Sequence, residues 1–163
     1  KFPTKLNDAQ LALSSIGQYD VAASPLQMAM VAAGIANDGV LMEPYLTKSV
    51  RAANLQTVWT HKDTPMSTPM TRESAKQLQQ MMVSVVNNGT GRNARIDGVT
   101  VGGKTGTAQT SPDKPPYAWF VGWSDKPKVA VAVFVESSNT ERSEIAGGRL
   151  GAPIARDVIE ALR

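Results

Sequence analysis

Val129 to Val135, read VAVAVFV, is apolar at every position. A strand with one wet face alternates apolar and polar residues. A run without alternation belongs to a strand covered on both faces, inside a sheet with helices above and below. Two stretches upstream, GVTVGGKTGTAQT from Gly98 and YAWFVGWSD from Tyr117, also read as strands. Short connections rich in Pro, Asp and Lys join the three, so they pair antiparallel as a meander. In that order Val129–Val135 falls at an edge, where a bare apolar strand invites aggregation. The pattern therefore predicts partner strands that this sequence does not supply.

Helices are expected on either side of the meander. In SPLQMAMVAAGIANDG, Ser24 is a helix cap, Pro25 suits the first helical position and Gln27 completes a capping box. The body from Ala29 to Ala36 is small or apolar, which predicts close packing on most sides. A second helix starts near Thr71, with Leu78, Met81, Met82, Val85 and Val86 as one stripe and Asn87, Asn88 and Gly89 as its stop. In GAPIARDVIEALR, Pro153 sits near a helix start, and Ile154, Ala155, Val158, Ile159 and Leu162 form the face expected to lie on the sheet. Between the first two helices, YLTKSVRA and QTVWTHKD read as a polar, exposed strand pair. The fold class is α/β of the α+β type, an antiparallel sheet flanked by helices.

The chain of 163 residues fits one domain. Its 42% apolar and 19% charged residues are ordinarily globular. The net charge of +3 is spread along the chain, with no basic stripe for nucleic acid. Without cysteine, thiol nucleophiles, disulfides and thiolate metal sites are excluded. No apolar run reaches the length of a membrane span. His61 on a polar strand reads as a surface residue, and Glu136 and Glu141 lack a metal-ligand pattern. No metal and no cofactor are expected.

The segment around Lys104 admits two readings. Gly98 to Thr105 fits the phosphate-loop pattern G-x-x-x-x-G-K-[ST], and Lys104-Thr105-Gly106 is the K-T-G of penicillin-recognising serine acyltransferases. A phosphate loop follows a buried strand and runs into a helix, whose N-terminus holds the phosphates. Here GTGRNARID precedes and GTAQTSPDKPP follows, neither of them suitable. Val99-Thr100-Val101 favours extended backbone. As a strand the segment makes sense: Gly102, Gly103 and Gly106 let a ligand's backbone lie alongside. Lys104 offers a cation and Thr105 and Thr107 offer hydroxyls to an anionic peptide end.

The surroundings extend this second reading. GTGRNARIDGVTVGGKTGTAQ, AWFVGW, SPLQMAMVAAGIANDGVLMEPYL and the closing GGRLGAPI stand in the order of the transpeptidase domain of class B penicillin-binding proteins, which the chain resembles from about Val21 onward. Within that family it resembles actinobacterial members of the penicillin-binding protein A type. That family needs S-x-x-K, S-x-N and K-T-G in this order. Ser111-Pro112-Asp113-Lys114 and Ser137-Ser138-Asn139 match the first two patterns but follow Lys104. A nucleophilic serine and its lysine must project together from a helix start. Pro112, Pro115 and Pro116 forbid a helix at Ser111, and Ser137 and Asn139 end a strand. Both are rejected as catalytic.

The resemblance implies a penicillin-binding transpeptidase fold of which residues 1–163 are the C-terminal part. The nucleophile, its lysine and the S-x-N motif are expected on a missing N-terminal part. It implies a peptidoglycan D,D-transpeptidase that crosslinks stem peptides through a serine acyl-enzyme and is acylated by β-lactams. Lys104, Thr105, Gly106 and Thr107 would bind the substrate, Lys104 also serving the serine cluster. The Thr107 N–H would form half the oxyanion hole. Implied partners are the D-Ala-D-Ala stem peptide, β-lactams, the missing N-terminal part and a membrane glycosyltransferase. The implied location is the extracytoplasmic face of the bacterial membrane, through an anchor absent from this chain. The alternatives are a serine β-lactamase or β-lactam sensor, and a non-catalytic interaction module of the same fold. Trp119 and Trp123 share one strand face, core in character, with Trp119 able to reach a cleft wall.

Overall fold

A computed structural model describes residues 1–109 and 113–163. The rejected Ser111 motif lies partly outside the described residues. The chain begins with α1 (Asp8–Ser15), which the sequence reading passed over although Asn7 and Gln10 form a reciprocal capping box there. Helix α2 (Pro25–Ala36) starts as expected, with Ser24 accepting from the Gln27 N–H and the Gln27 side chain returning to the Ser24 N–H. It is packed on one face only: Ala32, Gly34 and Ile35 are buried, while Leu26 and Val31 are exposed. The packing on most sides that was expected is not seen, because small residues permit close approach on one face without requiring a partner on the others.

A small strand region follows. β1 (Leu41–Met42) pairs antiparallel with β4 (Pro65–Ser67), and β2 (Ser49–Arg51) with β3 (Thr57–Thr60). The exposed β2–β3 pair is the one expected; β1 and β4 are too short to carry a periodic signal. His61 departs from its surface reading. Its ring stacks on Tyr45 with centroids 3.7 Å apart, leaving the side chain 15% exposed.

Helix α3 (Arg72–Asn88) is capped by Thr71, whose hydroxyl accepts from the Ser74 N–H. Met82 and Val86 of its stripe are buried, but Met81 is exposed, since it lies at the margin of a stripe wider than its neighbours cover. Strands β5 (Val101–Ala108), β6 (Tyr117–Asp125) and β7 (Lys128–Val135) then form the expected antiparallel meander, with Lys104 opposite Val121 and Thr107 opposite Ala118. Gly147–Gly151, a wide turn of helix, leads into α4 (Ala152–Ala161).

Strand alternation divides the core in two. On one face Phe120 packs with Val86, Val101, Ala155 and Ile159, supported by Val129, Val131 and Val133 of β7. On the other, Trp123 packs with Ile35 of α2 and Met82 of α3. Only Ala152, Ala155 and Ile159 of α4 are buried; Ile154, Val158 and Leu162 are exposed, so the face is narrower than expected. Among the described residues β7 pairs with β6 alone.

Candidate functional site on the outer edge of β5

Strand β5 carries Lys104, Thr105, Gly106 and Thr107 on the edge turned away from β6. Two hydrogen bonds fix the orientation of its backbone. The Lys104 Nζ donates to the Thr105 carbonyl at 2.7 Å, and the Gln18 amide donates to the Thr107 carbonyl at 3.4 Å. Neither donor belongs to β6, so both carbonyls face outward. In an extended strand the N–H of a residue points with its own carbonyl, so the Thr105 and Thr107 amides face the same open edge. That edge presents alternating donors and acceptors to an incoming extended chain, the geometry of strand addition.

The side chains complete this edge from both faces. Thr105 and Thr107 share the α4 face of the sheet by their registers with Phe120 and Ala118. Lys104 leaves by the opposite face, and its exposed ammonium bends back to the Thr105 carbonyl. A cation, two hydroxyls and outward amides thus stand within one turnless stretch of four residues. Such a set suits the carboxylate end of an extended peptide, since ionised acceptors form the stronger hydrogen bonds. Beyond Thr107 an open groove of about 560 Å³ continues along Gln109, Pro116, Glu141, Arg142, Ser143 and Ile145.

Gly102 and Gly103 have a different purpose from the one expected. A Cβ on Gly102 would enter the Trp123 indole, and one on Gly103 the Phe120 ring. These glycines make room for the rings of β6, not for a ligand. At Gly106 the nearest obstacle is the Trp119 Cβ at 3.2 Å, and the backbone of Gly147 lies against its N and O. It is the bare backbone of Gly147 that lets the segment after β7 close on the sheet, since a Cβ there would run into the Trp119 carbonyl and the Gly106 backbone.

Thr90, Asn93 and Gln18 escaped the sequence reading. The Thr90 hydroxyl lies 2.7 Å from the Thr105 hydroxyl, and the Asn93 amide donates to the Gly148 carbonyl at 2.8 Å. Thr90 and Gln18 reach β5 directly and Asn93 reaches the turn at Gly148, each by a polar contact between residues distant in sequence, for which periodicity has no signal. Ser137 and Asn139 fall in an irregular segment after β7, not at a helix start. Among the described residues no three His, Cys, Asp or Glu side chains gather as a metal site, and no helix is long and apolar enough to cross a membrane.

The chain has counterparts among known proteins. Residues 2–160 match the family model for the penicillin binding protein transpeptidase domain. The chain is 42% identical over 158 residues to the peptidoglycan D,D-transpeptidase PbpA of Mycolicibacterium smegmatis, an alignment covering 94% of this chain and 32% of that protein. The crystal structure of PBPA from Mycobacterium tuberculosis superposes with a TM-score of 0.85 at 39% identity, covering 96% of this chain and 38% of that one. The penicillin G acyl-enzyme complex of the same mycobacterial protein gives a TM-score of 0.81 at 39% identity, covering 94% and 35%. The chain thus spans about a third of the length of the curated relatives it matches.

Proposed function

We propose, from the premise that this chain belongs to the penicillin-binding protein transpeptidase family, that it is the C-terminal part of a peptidoglycan D,D-transpeptidase domain. In this reading a serine on a segment outside residues 1–163 attacks the carbonyl of the penultimate D-Ala of a stem peptide. The carbonyl oxygen becomes an oxyanion, the peptide bond breaks, and the terminal D-Ala leaves with a proton on its amine. An amine of a neighbouring stem peptide then attacks the acyl-enzyme, which forms the crosslink and returns the serine. β-Lactams enter the same first step and leave the serine acylated.

The open edge of β5 carries this reading. The stem peptide lies along it as an added strand. Lys104 supplies positive potential for the terminal carboxylate, and the Thr105 and Thr107 hydroxyls donate to its oxygens. The Thr107 N–H donates to the oxyanion as half of the hole, the other half coming from the serine's own amide. One such donor contributes roughly 3 kcal/mol to the transition state. Gly106 lets the strand pass under the ligand without a side chain between them.

Among the described residues β7 has no second strand neighbour, which supports a division of the domain between this chain and a preceding segment. The apolar residues of β7 are half-covered, apart from the exposed Phe134, as expected of a strand whose second neighbour lies elsewhere. Peptidoglycan lies outside the cytoplasmic membrane, so the domain acts on the extracytoplasmic face, held there by an anchor in another part of the protein. A membrane glycosyltransferase that polymerises the strands is a fitting partner.

Intact-mass measurement of the complete protein before and after penicillin G tests the reading. A mass gain equal to one penicillin, located on a serine outside residues 1–163, is expected. Rapid turnover of the drug without a lasting adduct would make the domain a β-lactamase. No reaction at all would leave a non-catalytic module.

A further inference from the structure

The Thr90 and Thr105 hydroxyls form a pair 2.7 Å apart, well within hydrogen-bond range for two oxygens. Thr105 is held from a second side as well. Its methyl group lies against Gly148, 3.4 Å from where a Cβ on that glycine would stand, and Gly148 also packs on the Thr90 carbonyl. Gly148 is in turn tied by its carbonyl to the Asn93 amide. Thr90 follows the end of α3, where the Gly89 and Gly91 amides both donate to the Val85 carbonyl. Neither partner of the hydroxyl pair is therefore placed by chance: one sits on the strand and the other on a clamped turn.

Each threonine has one O–H proton to give. If Thr105 donates to Thr90, it has nothing left for an anion. If Thr90 donates to Thr105, the Thr105 proton is free for a ligand oxygen, and the chain of two bonds strengthens both. An anionic ligand selects the second order. Resting on the functional reading above, we propose that Thr90 is a positioning residue for the carboxylate site: it donates to Thr105 Oγ1, so that Thr105 presents its proton to the ligand carboxylate. Thr90 itself does not touch the ligand.

The test compares penicillin G with its methyl ester, which keeps the β-lactam ring and loses the negative charge. Acylation of the complete protein by each is followed over a range of concentrations. Wild type is expected to favour the acid. Thr90→Val, which keeps shape and removes the hydroxyl, is expected to lower the acid-to-ester preference roughly three- to tenfold. The loss should fall on the binding constant and leave the acylation step itself nearly unchanged. Thr90→Ser should restore the preference. In a Thr105→Val background, Thr90→Val should add nothing further. Thr90→Ala carries the same comparison if the valine variant misfolds. An unchanged acid-to-ester preference in both Thr90→Val and Thr90→Ala, with wild type acylated, overturns this inference alone. A wild type that is never acylated overturns the functional reading and this inference with it.

Discussion

The Phe120 ring stands over the bare backbone of Gly103, filling the space that a side chain on the glycine would need. Trp123 does the same at Gly102 on the other face of the strand. Two large rings of β6 thus reach across to β5, Trp123 to its direct partner Gly102 and Phe120 diagonally to Gly103, and each needs a glycine to land on. The strand that bears Lys104 is held between them. Its position is set by packing just before the residues that meet a ligand.

Gly103→Ala should therefore be costly. The added methyl must displace a ring that is fully buried, and overpacking of this kind costs about 1–3 kcal/mol. Urea denaturation of the complete protein is expected to show a lower midpoint with little change in slope. Unchanged stability would mean that Phe120 can move aside freely.

Lys104→Ala separates function from folding. The side chain is exposed, and among the described residues it donates one hydrogen bond, to the carbonyl of its sequence neighbour. Loss of stability should stay within about 0.5 kcal/mol. Acylation by penicillin G, read by mass, should slow by about a hundredfold or more, because the charge is proposed to act on the ligand carboxylate and the serine cluster. A normal rate would remove Lys104 from the proposed site.

At Thr107 the proposed contribution is divided between backbone and side chain. Thr107→Val keeps the amide and deletes the hydroxyl, so roughly tenfold weaker binding of penicillin G is expected, with the acylation step itself largely preserved. A collapse of the step instead would show that the hydroxyl, not the amide, carries the chemistry.

Ser24→Ala removes the cap of α2, whose hydroxyl accepts from the Gln27 N–H at 3.2 Å. The expected loss is about 1 kcal/mol, visible as a lower melting temperature and no change in penicillin binding.

Ser137→Ala should leave acylation untouched. Ser137 and Asn139 match a two-residue pattern that common residues produce by chance, and they stand in an irregular segment beyond β7. A mass adduct that disappears with this substitution would reverse that judgement.

What could be read without coordinates was whatever a local period or a local cap encodes. Ser24, Pro25 and Gln27 start α2 because their partners lie within one turn, and the strand-like runs and short connections from Val101 to Val135 specify the meander. Lys104-Thr105-Gly106 placed the chemistry on a strand, because β-branched neighbours exclude a phosphate loop. Tertiary structure alone decided the rest. Which glycines of β5 serve packing depended on rings reaching across from β6, and which way the strand's carbonyls face was set by Lys104 and Gln18. The Thr90–Thr105 pair joins two segments through a single pair of hydroxyls, which no period announces. Side-chain periodicity reports only that a face is buried. Partners across space are chosen by shape and by the hydrogen bonds that backbone geometry leaves open.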